Sequence, residues 1–269
     1  MNEAVMLSAI ERQAEIAQST KATGHVSVSQ LALHFGVTPE TIRRDLKVLE
    51  QQGRLVRVHG GAVVMGSGQG TETEYDSNAL VHMDQKRLIA ETAWNYIKAD
   101  ENLTSITIDS GSSTMEFARA LASTNHLGGA GRLTIITNSI PVANVTADFG
   151  MNNVHLIGGR IRPITRAVVG DLTVMEFEKL RTDYAVLGTN GLSLGHGCST
   201  PDPSEAAVKS AMVRGTRKVI VLCDSSKFGR DFLVTFAALD QVDTIITDSG
   251  IDPHHIDALN AKGIEVVVA

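Results

Sequence analysis

"HVSVSQLALHFGVTPETIRRDLKVLEQQG", residues 25–53, holds two helical patterns separated by a tight break. Ser29 stands where it can cap a short helix, with Leu31, Leu33 and Phe35 as its inward residues and Gly36 as its stop. Thr38 then caps a second helix, with Pro39 at the first position, where a missing N–H costs nothing. At about 100° per residue, Ile42, Leu46 and Leu49 fall on one apolar stripe. Glu40, Arg44, Lys47 and Gln51 point the opposite way, with Thr41 and Arg43 at the flank. Two short helices joined by Gly-Val-Thr make a helix-turn-helix, and the outward bases suit its second helix to a DNA major groove.

Working outward, "RLVRVHGGAVV" at 54–64 alternates apolar and basic residues around Gly60 and Gly61. This pattern predicts a two-stranded hairpin, a wing that offers Arg54, Arg57 and His59 to phosphates. Upstream, "AVMLSAIERQAEIAQST" at 4–20 supplies a third helix. Asp45 lies off the buried stripe, a position that suits a structural partner for a wing arginine. The candidate DNA-binding residues are Thr38, Thr41, Arg43, Arg44, Lys47, Arg57 and His59. Charge supports a division of labour: residues 1–65 hold seven Lys and Arg against six acids, and the remainder 17 against 24.

Residues 66–80, "GSGQGTETEYDSNAL", are glycine-rich and polar, which predicts a linker between a head at 1–65 and a body at 81–269. In the body, amphipathic segments alternate with the runs "SITIDS", "RLTIITN", "NVHLIGG", "YAVLGTNG", "KVIVLCD", "TIITD" and "EVVVA". Short β-branched runs between helices predict a mainly parallel, doubly wound α/β sheet covered on both faces. The expected fold class is therefore α/β, an N-terminal winged helix-turn-helix followed by this sheet. Six runs end in small or polar residues: Asp109, Asn138, Gly158 with Gly159, Gly188 to Gly191, Asp224 and Asp248. In such sheets the ligand crevice lies at the carboxyl ends of the strands, so these endings converge on one edge. "IDSGSST" at 108–114 resembles an anion nest: Gly111 permits a turn, Ser110, Ser112, Ser113 and Thr114 offer hydroxyls, and a helix N-terminus follows. Lys209, Lys227, Arg160 and Arg162 supply counter-charge near the other strand ends. Glu205 and Lys209 sit at i and i+4 on a helix, either as a surface pair or as contacts at the edge of a ligand.

With 269 residues, 43% of them hydrophobic, the chain can bury a full core. Neither a signal peptide nor a membrane span is supported, so a cytoplasmic protein is expected. Cys198 and Cys223 read as free thiols of a reducing compartment. His254 and His255 are adjacent and would diverge on a helix, so no metal site is expected. No G-x-x-x-x-G-K-[ST] or strand-linked G-x-G-x-x-G occurs, which argues against nucleotide hydrolysis and a dinucleotide cofactor; no cofactor is expected.

The residues Arg12, Ile16, Val26 to Val28, Leu31, Ala32, Phe35, Thr38, Thr41 to Leu46, Leu49, Glu50, Gly53 and Arg57 to Ala62 resemble the DNA-binding end of the DeoR family of bacterial transcriptional regulators. The resemblance continues through "QKRLIA" at 85–90, "IDSGSST", "TNS" at 137–139, "IGGRIR" at 157–162, "GTNGL", "SEAAVKSAM" and "CDSSKFG". It implies a body similar to ribose-5-phosphate isomerase that binds phosphorylated sugars. Where that isomerase carries an Asp-Gly-x-Asp segment, this chain has Gly188, Thr189, Asn190 and Gly191, without a carboxylate to move a proton. No catalytic residue is therefore assigned.

The expected function is a DNA-binding regulator, a repressor of sugar-metabolism genes modulated by a phosphorylated sugar. Its expected partners are a double-stranded DNA operator and the effector, with no membrane, and the chain should form a homo-oligomer, dimer or tetramer. The candidate effector-binding residues are Asp109, Ser110, Gly111, Ser112, Ser113, Thr114, Asn138, Gly159, Glu205, Lys209, Asp224 and Lys227. An isomerase-like enzyme with an accessory DNA-binding head and an activator remain alternatives at this point.

Overall fold

A computed structural model describes residues 8–23, 25–52, 54–58, 60–64, 82–124 and 133–269. His59, Gly53 and the expected linker at 66–80 lie outside the described residues. The chain divides into two compact units, residues 1–82 and 83–269.

The first unit runs α1 (Ala9–Thr23), β1 (His25–Ser27), α2 (Val28–Phe35), α3 (Pro39–Gln51), β2 (Leu55–Val58) and β3 (Gly61–Val64). Its strands form a three-stranded sheet in the order β1-β3-β2, so the wing hairpin carries a third strand that was not expected. Val26 pairs with Ala62, and three residues are too few for alternation to announce a strand. Ile16, Leu31, Ile42, Leu46, Leu49 and Leu55 make the core.

Two details of α2 differ from expectation. The N-cap is Ser27, not Ser29, and its side chain makes no capping bond; its Oγ lies 2.8 Å from Ser29 Oγ. Leu33 does not face inward but is 87% exposed, because the buried stripe follows the 3–4 spacing Val28, Leu31, Ala32 and Phe35. Gly36 ends the helix at φ 63°, a conformation that glycine adopts without steric cost.

The second unit begins α4 (Met83–Ile97), β4 (Ser105–Ile108), α5 (Ser112–Ser123), β5 (Thr134–Thr137), α6 (Ile140–Asp148), β6 (Val154–Leu156), β7 (Arg160–Arg162), β8 (Ala167–Val169) and α7 (Asp171–Glu178). It continues β9 (Thr182–Gly188), β10 (Gly191–Ser193), β11 (Gly197–Thr200), α8 (Pro203–Arg214), β12 (Thr216–Leu222), β13 (Val234–Ala237), β14 (Thr244–Thr247), α9 (Pro253–Asn260) and β15 (Glu265–Val268). Seven strands form one sheet in the order β15-β14-β12-β9-β4-β5-β6, and every pairing in it is parallel.

Alternation along the strands divides the core between the two faces. Tyr184 and Val186 of β9 join Ile89, Phe117 and Val142 from α4, α5 and α6. Ala185 and Leu187 join Phe177, Val208, Met212 and Leu259 from α7, α8 and α9. The sheet is thus doubly wound. Small antiparallel ladders, β10-β11-β13 and β7-β8, flank it.

Strand order reverses between β4 and β9, since the chain builds β4, β5 and β6 outward on one side and returns to add β9 on the other. Such a switch point leaves a crevice at the carboxyl edge, because the connections on either side lead away from each other. Among the described residues, no helix is long and apolar enough to cross a membrane.

Candidate functional site

In the first unit, Thr38 Oγ1 accepts from the backbone N–H of Thr41 at 3.2 Å, which holds the start of α3. The hydroxyl is thereby part of the cap, and it lies 2.9 Å from Thr41 Oγ1. Arg44 and Lys47 are exposed on α3 with no ion pair among the described residues. Arg43 is also exposed, but it donates to Glu40 at 3.0 Å. Arg57 on the wing donates through its backbone N–H and its Nε to Glu50, at 3.0 and 2.7 Å, and this holds Glu50 below the usual carboxylate range.

Asp45 departs from expectation. It is buried and accepts from Arg12 Nε at 2.6 Å and from Gln13 Nε2 at 2.7 Å, so its partner is helix α1 and not the wing. Arg57, the wing arginine, is satisfied by Glu50 instead.

In the second unit, Asp109 ends β4 beside the switch point and is fully buried. Its Oδ2 accepts from Lys209 Nζ and from the Gly188 N–H at 3.2 Å, while Lys209 also donates to Gly188 O at 3.0 Å. Burial pushes the Asp109 carboxyl upward, and the Lys209 ammonium works against that shift. This ion pair ties β4, β9 and α8 together across the crevice. Asp109, a candidate effector residue, is therefore paired with Lys209 within the protein.

Glu205 and Lys209 are not a surface pair. Glu205 is 5% exposed and accepts from Arg162 Nη1 at 2.8 Å and from Thr165 Oγ1, while Arg162 Nη2 also reaches Asp202 at 3.3 Å. Arg162 therefore has its charge compensated within the protein. Arg160 is exposed and lies 3.4 Å from Ser204 Oγ.

Other candidates are also partly occupied. Thr114 is buried and its hydroxyl donates to Gly111 O at 3.1 Å, closing the first turn of α5. Gly159, at φ 152°, packs so tightly that a Cβ would collide with the Thr173 hydroxyl and approach Val169 O to 2.9 Å. Asp224 accepts from the Ser226 N–H at 3.1 Å and from the Ser226 hydroxyl, capping the turn Ser225–Lys227. Asp248 does the same work one strand away, accepting from Ser225 N–H at 2.6 Å and Gly250 N–H at 3.0 Å.

Spare capacity remains at four places. Ser112 and Ser113, half-buried, start α5, where the first N–H groups have no acceptor within the helix. Ser110 is buried with its Oγ 3.5 Å from Asp109 Oδ1. Asn138 donates to Val168 O at 3.0 Å, but its buried Oδ1 has no hydrogen-bond partner among the described residues. Lys227 is half-buried and has no ion pair among the described residues. The strand pairing of Ile108 with Thr137 sets Asn138 beside Asp109 at the same edge. Cys198 and Cys223 are buried and free, and burial pushes the Cys198 thiol up to about 12.

One residue of this region was not a candidate. Lys86, in the first turn of α4, is 4% exposed and lies close enough to Asp224, Lys227 and Glu116 for their charges to act on it. Its signal was the motif "QKRLIA", whose lysine opens a helix that begins over the carboxyl edge.

A winged-helix unit with exposed cations on the second helix of its helix-turn-helix, followed by a doubly wound unit with polar groups gathered at one sheet edge, defines a DNA-binding transcriptional regulator. The family model of the DeoR-like helix-turn-helix domain matches residues 12–67, and that of the DeoR C terminal sensor domain matches residues 81–249. The chain belongs to the DeoR family. The HTH-type transcriptional regulator GlpR of Haloferax volcanii is 34% identical over 257 residues, covering 96% of each chain. The glycerol-3-phosphate regulon repressor of Escherichia coli is 32% identical over 242 residues, covering 89% of this chain and 90% of its own. These relatives are transcriptional regulators, and the protein is a regulator and not an enzyme. Among solved structures, ribose 5-phosphate isomerase A of Methanocaldococcus jannaschii aligns with 54% of each chain at a TM-score of 0.40 and 14% identity.

Proposed function

We propose that the protein is a repressor of sugar-metabolism genes that leaves its operator when a phosphorylated sugar binds the carboxyl edge of the second unit. In this reading residues 1–65 are the DNA-binding head, 66–80 the linker and 81–269 the effector-sensing body. The observation that carries it is the gathering, at one sheet edge, of the α5 N-terminus with Asn138 Oδ1 and Lys227, which have no hydrogen-bond partner and no ion pair, respectively, among the described residues. Helix N–H groups and an ammonium suit a phosphate, and an amide oxygen accepts from a hydroxyl. With Asp109, Glu205 and Asp224 engaged inside the protein, the sugar is held above the Asp109–Lys209 pair and not in place of it. The E. coli relative is named for a phosphorylated polyol, which supports the same class of ligand.

Arg44 and Lys47 reach the major groove, with Thr38, Thr41, Arg43, Arg57 and His59 as further backbone or base contacts. One head buries too little surface for a tight operator complex, so the working form is a homo-oligomer, a dimer or a tetramer, acting in the cytoplasm. Gel-shift titration of an operator fragment, with and without ribose 5-phosphate, fructose 6-phosphate, glucosamine 6-phosphate and glycerol 3-phosphate, tests the reading. Release by at least one phosphorylated compound, and not by its unphosphorylated counterpart, is the expected result. Indifference to all of them would overturn the assignment of the effector.

A further inference from the structure

Half of the large apolar side chains that are exposed among the described residues fall in one short stretch of the second unit: Leu156, Ile161, Ile164, Leu172 and Met175. Exposed apolar residues scattered singly need no explanation, but a group on neighbouring elements does. These elements meet at Gly158 and Gly159. β6, the last strand of the seven-stranded sheet, ends at Leu156, and the β7–β8 hairpin, which carries Ile161 and Ile164, starts directly after Gly159. The Thr173 hydroxyl donates to Gly158 O at 2.9 Å and fastens the first turn of α7 to the same place. On α7, Thr173 and Phe177 are buried, while Leu172, 69% exposed, and Met175 are neighbours at i and i+3 on the outer side.

Charge around these side chains is sorted by element. The hairpin, residues 160–169, carries Arg160, Arg162 and Arg166 and no acid, whereas α7 carries Asp171, Glu176 and Glu178 and no base. Part of this charge is met inside the chain: Arg162 by Glu205 and Asp202, Glu176 by Lys179 and Glu178 by Arg214. Arg160 and Asp171 are exposed and have no ion pair among the described residues. A surface that is basic on one element and acidic on the next, with apolar side chains on both, complements itself when turned about a twofold axis. Hairpin against hairpin would oppose arginines, and α7 against α7 would oppose acids; only hairpin against α7 brings unlike charges together. Duplex DNA, the other partner of this protein, is repelled by the acids of α7.

We propose that the edge of β6, the β7–β8 hairpin and α7 form the interface with a second copy of this chain, the hairpin of one copy lying against α7 of the other. The inference rests on the reading of a homo-oligomer given above and assigns it a surface. Leu172 and Met175 are its apolar centre, and Arg160 faces the Asp171 of the second copy. Because each contact of a twofold pair occurs twice, a change at one position is felt at two places in the interface.

Sedimentation velocity of the full chain across a concentration series tests the proposal. Leu172→Glu combined with Met175→Glu buries two carboxylates in the interface and should weaken self-association roughly tenfold or more, so that a species of half the wild-type mass appears where wild type is assembled. Asp171→Arg sets like charges against each other and should also weaken assembly. Adding Arg160→Glu to it reverses both signs and should restore the wild-type mass, a recovery that a misfolded variant would not show. A wild-type oligomer whose mass survives the two glutamates, or a charge reversal that its counterpart does not rescue, would overturn this surface while leaving the homo-oligomer in place. A wild type that stays monomeric at every concentration that saturates an operator fragment would overturn both.

Discussion

Glu205 and Lys209 stand one turn apart on α8, both buried, and bond to different partners: Glu205 to Arg162 and Thr165 of the β7–β8 hairpin, Lys209 to Asp109 and Gly188 at the switch point. One helix face thus pins the hairpin on one side and the central strands on the other. Removing Lys209 leaves the Asp109 carboxylate buried and uncompensated. Lys209→Met should destabilise the second unit by about 3–5 kcal/mol at neutral pH, measured by urea unfolding. Burial already raises Asp109 above its ordinary value, so without Lys209 the folded protein takes a proton more readily than the unfolded chain. The deficit should therefore shrink as pH falls through the raised folded value. A deficit constant down to pH 4 would contradict this account.

Arg44 and Lys47 are the exposed cations of α3 without an ion pair among the described residues. Arg44→Ala is expected to weaken operator binding by about 1–3 kcal/mol if it reads a base. Lys47→Ala, in the role of a phosphate contact, should lower affinity for all sequences alike and reduce the salt slope by about one unit. Gel shifts across a salt series on specific and scrambled duplexes separate the two.

The Arg12–Asp45 pair joins α1 to α3 in the interior of the first unit. Asp45→Ala leaves Arg12 buried beside Gln13, and a cost of about 3–5 kcal/mol follows for a broken buried pair. The same change made together with Arg12→Met should cost less than Asp45→Ala alone, because the buried charge that loses its carboxylate is then removed as well. Thermal unfolding of the three variants checks the order. Equal losses would mean that the pair contributes packing alone.

Much of the architecture was legible because periodicity carried it. Ile42, Leu46 and Leu49 at helical spacing, and seven β-branched runs between helices, produced the winged helix and the parallel sheet. What failed was partner choice. Asp45 reads the same whether it meets Arg12 or Arg57, since both arginines are distant in sequence and only packing selects one. Leu33 misled because an alternating Leu31, Leu33, Phe35 was read inward where α2 spaces its stripe by three and four. Glu205 and Lys209, adjacent on a helix, suggested each other; burial gave each a better partner. Lys86 escaped because a lysine among charged neighbours, Asp84 and Arg87, resembles a solvated helix start until its burial is known.

Lys227→Ala is expected to stay on the operator at sugar-phosphate concentrations that release wild type. Removing a cation that has no ion pair among the described residues lowers effector affinity, and the coupling cannot exceed the difference in affinity of the effector for the two forms, typically about 1–3 kcal/mol. Effector titrations against a preformed operator complex measure it. Release of the variant at the wild-type midpoint would remove Lys227 from the site.

The reversal of strand order between β4 and β9 also dictates a history for the chain. Within the first unit, His25 finds Val63 and Leu55 finds Val64, so its ladders close over short stretches. In the second unit β4 waits for β9, with Ile106 pairing Tyr184 only after β5, β6 and the β7–β8 hairpin have been made. Closing the longer loop costs more entropy before any contact repays it, and parallel pairing forms slowly. The DNA-binding unit is accordingly expected to mature first as the chain leaves the ribosome, while β4 stands as a temporary open edge until β9 arrives. Pulse-labelled hydrogen exchange during refolding should protect the amides of β2 and β3 before those of β4 and β9.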